Sequence, residues 1–344
     1  MTALATKFIS FSDQTTGVAY ANPSTQPASV TFTAFDSAGV KLASKSLTLL
    51  AGAHDAANMG PFLGLSNFKG SIQIDSTVAI ASLSLNAEAF PSFSSLPPGE
   101  LGGSAALTYY FPHLALGAGW QTTLTYINFT SQSVTCTTTF YADSGAPLSV
   151  SFGGTAASSR TDTLAAGGVL HEESKADLNG PETRGWAKAV CNGSVKASLL
   201  FRFYQQGKPI GEAGVNAMTT TATKFVTFSD QTTGVAYANP SAQSASITFN
   251  ALGLDGIKLG SKNLTLAAGA HDAANMGPFL GLTSFKGSIQ VVSTVPIVSL
   301  SLNAEAFPSF SSLPAGELDD STALATGDSG TPPPPELPPY DYGY

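Results

Sequence analysis

Charged side chains are scarce in this sequence. Lys, Arg, Asp and Glu make up 11% of its 344 residues, whereas soluble domains usually contain about 25%. The 15 basic residues are scattered singly and the net charge is −8. This excludes the clustered positive charge that nucleic-acid binding requires. We therefore expect no nucleic-acid partner.

Long apolar runs are also missing. No stretch of 18 apolar residues occurs, so the sequence predicts no membrane span. The N-terminal stretch MTALATKFISF has neither the basic region nor the apolar run of a signal peptide. Low charge and abundant Ser and Thr are nevertheless typical of secreted β-proteins. We expect an extracellular or cell-surface location, with any export signal encoded upstream.

Motifs that carry catalysis are absent. The sequence contains no glycine-rich dinucleotide or phosphate loop, no nucleophile elbow and no zinc-hydrolase motif. We predict no cofactor, no metal site and no enzymatic activity. An enzyme would need a cleft that unites His113 or His171 with a carboxylate, and this is kept as a third functional hypothesis.

The dominant feature that is present is an internal repeat. Ala5 to Leu101, here called the first repeat, recurs without a gap as Ala222 to Leu318, the second repeat. Of 97 paired positions 76 are identical, and AGAHDAANMGPFLGL occurs unchanged in both. A repeat of this length is a whole domain rather than a solenoid unit.

Short alternating segments predict β-strands throughout the repeat. ASVTFTAF, for example, places Val30, Phe32 and Ala34 on one face. The predicted strands cover residues 6–12, 17–21, 28–35, 40–50, 70–75 and 78–90. Strands of this length, closed by Gly, Pro, Asn or Asp, favour an antiparallel β-sandwich of immunoglobulin-like dimensions.

The middle segment, residues 106–218, looks like a diverged third copy. Tyr126 and Asn128 match Tyr20 and Asn22, and an insertion falls near residues 150–160. The fold class predicted is all-β, a tandem array of three immunoglobulin-like sandwiches followed by an acidic Pro-rich tail. The predicted boundaries are 1–104, 105–218, 219–318 and, for the tail, 319–344.

One segment breaks the strand pattern. Residues 54–64 (HDAANMGPFLG) could form a short helical turn that plugs the core and ends at Gly60-Pro61. A His with an Asx residue four positions later could face one side of such a turn and contribute to a metal site. The alternative is a loop whose polar side chains cap their own backbone. The repeated polar residues are His54, Asp55 and Asn58 and their copies His271, Asp272 and Asn275.

The only two cysteines, Cys136 and Cys191, lie in the middle segment. They are too few for a tetrahedral metal site, and their positions in separate predicted strands favour a disulfide. Closing a loop of about 55 residues would contribute about 4 kcal/mol in the chain-entropy model. Two buried thiols in a reducing compartment are the alternative.

Aromatic residues provide the candidates for ligand contact. Trp120, Trp186 and Tyr126 of the middle segment could form a sugar-stacking surface, although a core position is the commoner role of Trp in a sandwich. Tyr340, Tyr342 and Tyr344 of the tail could dock on a partner.

The order AGAHDAANMGPFLGL, FKGSIQIDSTVAIASLSLN and a later LP resembles immunoglobulin-like repeat domains at the ends of large secreted proteins of Acidobacteria-type soil bacteria. The resemblance covers Ala5 to Leu318. It implies an immunoglobulin-like fold and an extracellular location, and it transfers no catalytic residue.

Three functional hypotheses follow. The leading one is a structural or adhesive cell-surface protein, in a specific version the subunit of a filament in which the second repeat of one copy meets the first repeat of the next. Its partners would be further copies or another cell-surface protein. The alternative is a carbohydrate-binding array whose middle segment binds a glycan, and the third is the enzyme described above.

Overall fold

The computed structural model describes residues 4–87, 90, 93–96, 99–100, 107–318, 321–322 and 324–325. In these residues the chain is all-β, with several antiparallel sheets, an arrangement consistent with β-sandwiches. The all-β prediction is therefore confirmed. Of the predicted tail, Tyr340, Tyr342 and Tyr344 lie outside the described residues.

The first repeat contains eight described strands and one short helix. They are β1 (Ala5–Asp13), β2 (Gly17–Ala21), β3 (Ala28–Asp36), β4 (Lys41–Leu49), β5 (His54–Asn58), α1 (Met59–Phe62), β6 (Lys69–Asn86), β7 (Ser94–Leu96) and β8 (Gly99–Glu100).

Strand β6 belongs to two layers of strands. Its first half pairs with β1 and β3, and its second half pairs with β2 and β7. The prediction of two strands, 70–75 and 78–90, is therefore corrected to one strand that ends at Asn86. Its middle stays extended because Ser76 is still in register with Val30, and the Thr77 hydroxyl accepts a hydrogen bond from the Ser29 amide (2.9 Å).

The middle segment repeats the same strand order with β6 replaced by two strands. Its layers run β12-β11-β14-β9 and β13-β10-β15-β16, matching β4-β3-β6-β1 and β5-β2-β6-β7. The strands are β9 (Thr108–Leu116), β10 (Trp120–Ile127), β11 (Val134–Ala142), β12 (Ser159–Leu164), β13 (Val169–Glu173), β14 (Thr183–Cys191), β15 (Lys196–Gln205) and β16 (Lys208–Asn216).

The second repeat reproduces the first. Its elements are β17 (Ala222–Asp230), β18 (Gly234–Ala238), β19 (Ala245–Gly253), β20 (Lys258–Leu266), β21 (His271–Asn275), α2 (Met276–Phe279), β22 (Lys286–Ala306), β23 (Ser309–Pro314) and β24 (Gly316–Leu318). Among the described residues the helices are those two four-residue turns, and neither is long enough to cross a membrane.

The predicted interior face of β3 is the observed one. Val30, Phe32 and Ala34 are fully buried, whereas the Thr31 and Thr33 hydroxyls hydrogen-bond across to β4 on the outer face. Alternation of side chains in a strand produces this division.

A buried asparagine stabilises the same loop in all three segments. Asn22 donates through Nδ2 to the carbonyls of Gln26 (2.8 Å) and Leu49 (3.2 Å), and Asn128 and Asn239 make the corresponding bonds. The Tyr-x-Asn match found in the sequence therefore reflects a shared loop structure.

The expected helical turn at 54–64 is corrected. Residues His54–Asn58 are strand β5, paired with β2, and the helix begins only at Met59. Gly60 and Pro61 lie inside this helix rather than after it. Proline is tolerated there because the amides of a first helical turn have no intrahelical partner.

Candidate functional site: the junctions between segments

The first repeat contacts the middle segment through a hairpin loop. Residues 37–39, which follow β3, pack on the turn 165–168, which precedes β13. The Val169 amide donates to the Ser37 carbonyl (2.9 Å). Gly39 has φ +85°, and a side chain there would overlap the carbonyl oxygen of Ala166. The approach of the two backbones therefore requires glycine.

The middle segment contacts the second repeat with the same backbone atoms. Its hairpin loop after β11 packs on the turn before β21, and the His271 amide donates to the Asp143 carbonyl (3.0 Å). A Cβ on Gly145 would lie 2.9 Å from the carbonyl carbon of Gly269. Position for position, these are the atoms used at the first junction, so one contact occurs twice in the chain.

We call the two halves of this contact the loop side and the turn side. The loop side is the hairpin loop after the third strand of a segment, with the outer face of its first strand. The turn side is the turn before the fifth strand, with the outer faces of that strand and the second strand. Each junction joins one loop side to one turn side.

Apolar side chains fill the first junction. Ile9 and Phe11, on the outer face of β1, are 2% and 8% exposed because they pack against Ile127 and its neighbours in the middle segment. The Phe11 ring stacks on the His171 imidazole, with centroids 3.7 Å apart and planes 2° from parallel. Burial, with Lys69 nearby, lowers the pKa of His171 to about 3, so this ring is neutral at pH 7.

A buried ion pair lies beside the first junction. Glu212 is fully buried and accepts hydrogen bonds from Arg202 Nε (2.8 Å) and from Ser94 Oγ of the first repeat (2.7 Å). Burial raises the pKa of Glu212, and the positive charge of Arg202 opposes that shift. The hydrogen bond from Ser94 therefore links strand β7 to the middle segment. It does so at a buried carboxylate, which needs hydrogen-bond partners to offset its loss of water.

Polar side chains fill the second junction. His271 Nδ1 lies 2.7 Å from Asp143 Oδ1, and His271 Nε2 lies 3.1 Å from His113 Nδ1. Arg184 contacts Asp143 (3.0 Å) and lies 3.8 Å from Asp272. The hydrogen bond from His271 lowers the pKa of Asp143, and burial lowers the pKa of His113 well below its usual value.

The two histidines of this cluster are buried, whereas the Asp143 side chain is 41% exposed. His113 and His271 are 6% and 2% exposed. His271 lies between Asp143 and His113 and makes one ring-nitrogen hydrogen bond to each of them. These two hydrogen bonds hold the turn side of the second repeat against the middle segment.

The tryptophans serve the interior and the second junction. Trp186 is 2% exposed, stacks on Tyr141 (4.5 Å between centroids) and donates from Nε1 to the Gly269 carbonyl (2.7 Å). Trp120 is partly buried between Phe203 and Phe310. Tyr126 is fully buried. Because sugar stacking needs an open ring face, this geometry is unfavourable to the glycan hypothesis.

The repeated polar residues lie on strands β5 and β21 rather than in a helical turn or a loop, and each aspartate accepts a hydrogen bond from the backbone amide that follows it. His54 and Asp55 are exposed on strand β5, whereas His271 of the second repeat is buried under the middle segment. The tyrosine of the neighbouring strand donates to the aspartate in both copies, Tyr20 to Asp55 and Tyr237 to Asp272. The remaining pair, Asn58 and Asn275, ends the strand before each helix. Within the described residues, no group of three or more His, Cys, Asp or Glu side chains could hold a metal ion.

The two cysteines form a disulfide between neighbouring strands of one sheet. Cys136 of β11 lies directly opposite Cys191 of β14, with 4.0 Å between Cα atoms. Cys191 is the last residue of β14, just before the interruption that separates β14 from β15.

Comparison with family models, with curated proteins and with solved structures found no match to this chain. Because the same backbone contact occurs twice, the junctions are the candidate functional feature of the described residues. Asp143 and Arg184 were not predicted from the sequence, and His113 was named there only as a candidate catalytic residue. The available signal was the match of the ADSG hairpin to FDSAG, which marks the same loop in both segments.

Proposed function

We propose that the chain is a non-enzymatic extracellular structural or adhesive protein, built as a string of three immunoglobulin-like β-sandwiches. The observation that carries this proposal is the recurrence of one junction. The Ser37–Val169 and Asp143–His271 backbone hydrogen bonds fix successive segments in equivalent relations, as a spacer of defined length requires. The Cys136–Cys191 disulfide fits an oxidising compartment.

Small-angle X-ray scattering of the full chain tests the proposal. If both junctions are closed, the scattering profile should fit a single rigid arrangement of the three segments. The profile should not change with ionic strength. A profile that needs an ensemble of independently moving segments would refute the spacer function.

A matched pair of variants sharpens this test. Gly39→Ala places a methyl group against Ala166, whereas Gly256→Ala, at the same hairpin position of the second repeat, meets nothing within 4 Å. Both glycines have positive φ, +85° and +78°, so the backbone strain is similar. We expect Gly39→Ala to increase the maximum dimension or the flexibility, and Gly256→Ala to leave the profile of the monomeric chain unchanged.

A further inference from the structure

The first repeat and the second repeat each have one side of the junction uncovered by the described chain. On the turn side, His54 is exposed whereas its copy His271 is 2% exposed. On the loop side, Phe228 is 43% exposed whereas its copy Phe11 is 8% exposed. Nearly identical sequences differ in burial here because the middle segment covers opposite sides of the two repeats.

The glycines show the same asymmetry. Gly39 and Gly145 on loop sides each meet the backbone of a turn side, at Gly167 and Gly269 respectively. Gly256 on the loop side of the second repeat and Gly52 on the turn side of the first repeat both have open space within 4 Å among the described residues. Gly256 and Gly52 thus occupy the loop-side and turn-side positions at which the other two glycine pairs meet.

The uncovered turn side also presents an apolar hollow. Val18, Ala19, Ala56 and Leu85 are among the residues that line a space of about 230 Å³. In the second repeat the corresponding Ala236 is 4% exposed and packs into the core of the middle segment. At the first junction this place is taken by β1 side chains of the preceding segment, and Phe228 is the equivalent side chain of the second repeat.

Two leucines distinguish the uncovered sides from the covered ones. Leu254 stands where the covered hairpins have Ser37 and Asp143, and it is 75% exposed. Leu50 stands where the covered turn of the second repeat has Ala267, and it is 65% exposed. On the sides that lack a neighbour, leucine thus replaces a polar residue at one position and the smaller apolar alanine at the other, and the larger exposed apolar surface favours contact between these two sides.

Charge is complementary across the same two sides. Lys286 and Arg184 occupy equivalent positions in their segments. Each precedes the glycine that pairs with the last residue of the third strand, which is β19 in the second repeat and β11 in the middle segment. At the second junction Arg184 lies 3.8 Å from Asp272, whose copy in the first repeat is Asp55. Lys286 and Asp55 are both exposed, so a third junction would bring opposite charges together.

We infer that the loop side of the second repeat docks on the turn side of the first repeat in a second copy of this chain, reproducing the internal junction between molecules. The Leu254 carbonyl then accepts from the His54 amide, and Phe228 enters the hollow. This contact joins different surfaces on the two copies and leaves one side uncovered at each end of the dimer. Further copies can therefore add at both ends, and the assembly is an open filament where the rotation between copies does not close a ring. The inference rests on the proposed structural function and specifies its partner.

Disulfide trapping tests the register of this contact. The full chain carrying His54→Cys and Leu254→Cys is exposed to a mild thiol oxidant, since the native cysteines are already paired. Adjacent backbone-bonded positions are within disulfide reach. We expect a ladder of dimers, trimers and longer species on a non-reducing gel, with each single-cysteine variant giving at most dimers. No ladder from the double variant would overturn the inference.

A second trap distinguishes the competing occupant. If the middle segment of a second copy occupies the turn side, His54→Cys combined with Asp143→Cys would give the ladder, and the inference would be wrong.

Light scattering and electron microscopy of surface variants without introduced cysteines measure self-association independently of disulfide trapping. We expect Leu254→Lys to weaken self-association at least about tenfold, because a lysine would lose water at the contact. Leu259→Lys, on the exposed strand β20, should have no effect. Combining Leu254→Glu with Leu50→Lys should restore association, which a folding defect would not do.

The outcomes separate this inference from the proposed function. A chain that stays monomeric at all concentrations but keeps the scattering profile of a rigid string overturns the docking and leaves the spacer function intact. Fibres that persist in Leu254→Lys also overturn it.

Discussion

Replacing Phe11 with Ala tests whether the first junction is closed in solution. Phe228 occupies the same position of the second repeat, so Phe228→Ala removes the same contacts within a repeat and none with the middle segment. The exposed fraction falls from 43% at Phe228 to 8% at Phe11. Since a phenylalanine buries 150–250 Å², the junction covers roughly 70 Å² of the Phe11 ring.

That area corresponds to about 1.7 kcal/mol at 25 cal/mol per Å². Stacking on His171 adds about 0.5–1.5 kcal/mol. Phe11→Ala should therefore destabilise the closed junction by about 2–3 kcal/mol more than Phe228→Ala. Opening of the junction frees the Val169 amide from the Ser37 carbonyl, so its hydrogen exchange should accelerate about 30- to 150-fold.

The assay is residue-resolved hydrogen exchange at a concentration at which the chain is monomeric. Phe228→Ala is the matched control and should leave exchange of the Val169 amide unchanged. Equal acceleration in both variants would show that Phe11 acts within its own repeat, and the reasoning from burial would be refuted.

Three further predictions concern the middle segment and the second junction. Replacing Cys136 and Cys191 with Ser should lower the free energy of unfolding of the middle segment by about 4 kcal/mol. Urea unfolding of the variant is compared with that of the parent chain with and without reductant. Trp186→Phe leaves the Gly269 carbonyl without its donor and should destabilise the second junction by about 1–3 kcal/mol. Hydrogen exchange of the His271 amide should become faster, whereas exchange at the first junction, where Phe11 lies, should not change. Because the pKa of His113 is lower in the folded chain than its ordinary 6.5, its contribution to stability is complete above pH 6.5 and is lost as the pH falls below it. Thermal unfolding should show this slope, and His113→Gln should lack part of it.

The strands could be predicted because alternation is written locally into the sequence. Val30, Phe32 and Ala34 mark the interior face without any knowledge of neighbours. HDAAN was harder, since its alanines favour helix and it contains no β-branched residue. Pairing of His54–Asn58 with β2 overrides that local preference.

The junctions could not be predicted in this way. His54 and His271 lie in the same local sequence and differ in burial, because residues 128 and 158 positions away in the chain, Asp143 and His113, cover His271. Local sequence specifies the shape of each side, and the order of segments along the chain specifies which side is covered.

The continuity of β6 and β22 has a consequence for mechanical load. In both repeats a single strand pairs with both layers, so tension along the chain passes between layers through one unbroken backbone. In the middle segment the corresponding strand is interrupted after Cys191, and the disulfide to Cys136 fastens β14 to β11 at that point. Under pulling force the middle segment therefore has a covalent bond between β11 and β14 at the interruption, where the two repeats have a continuous strand.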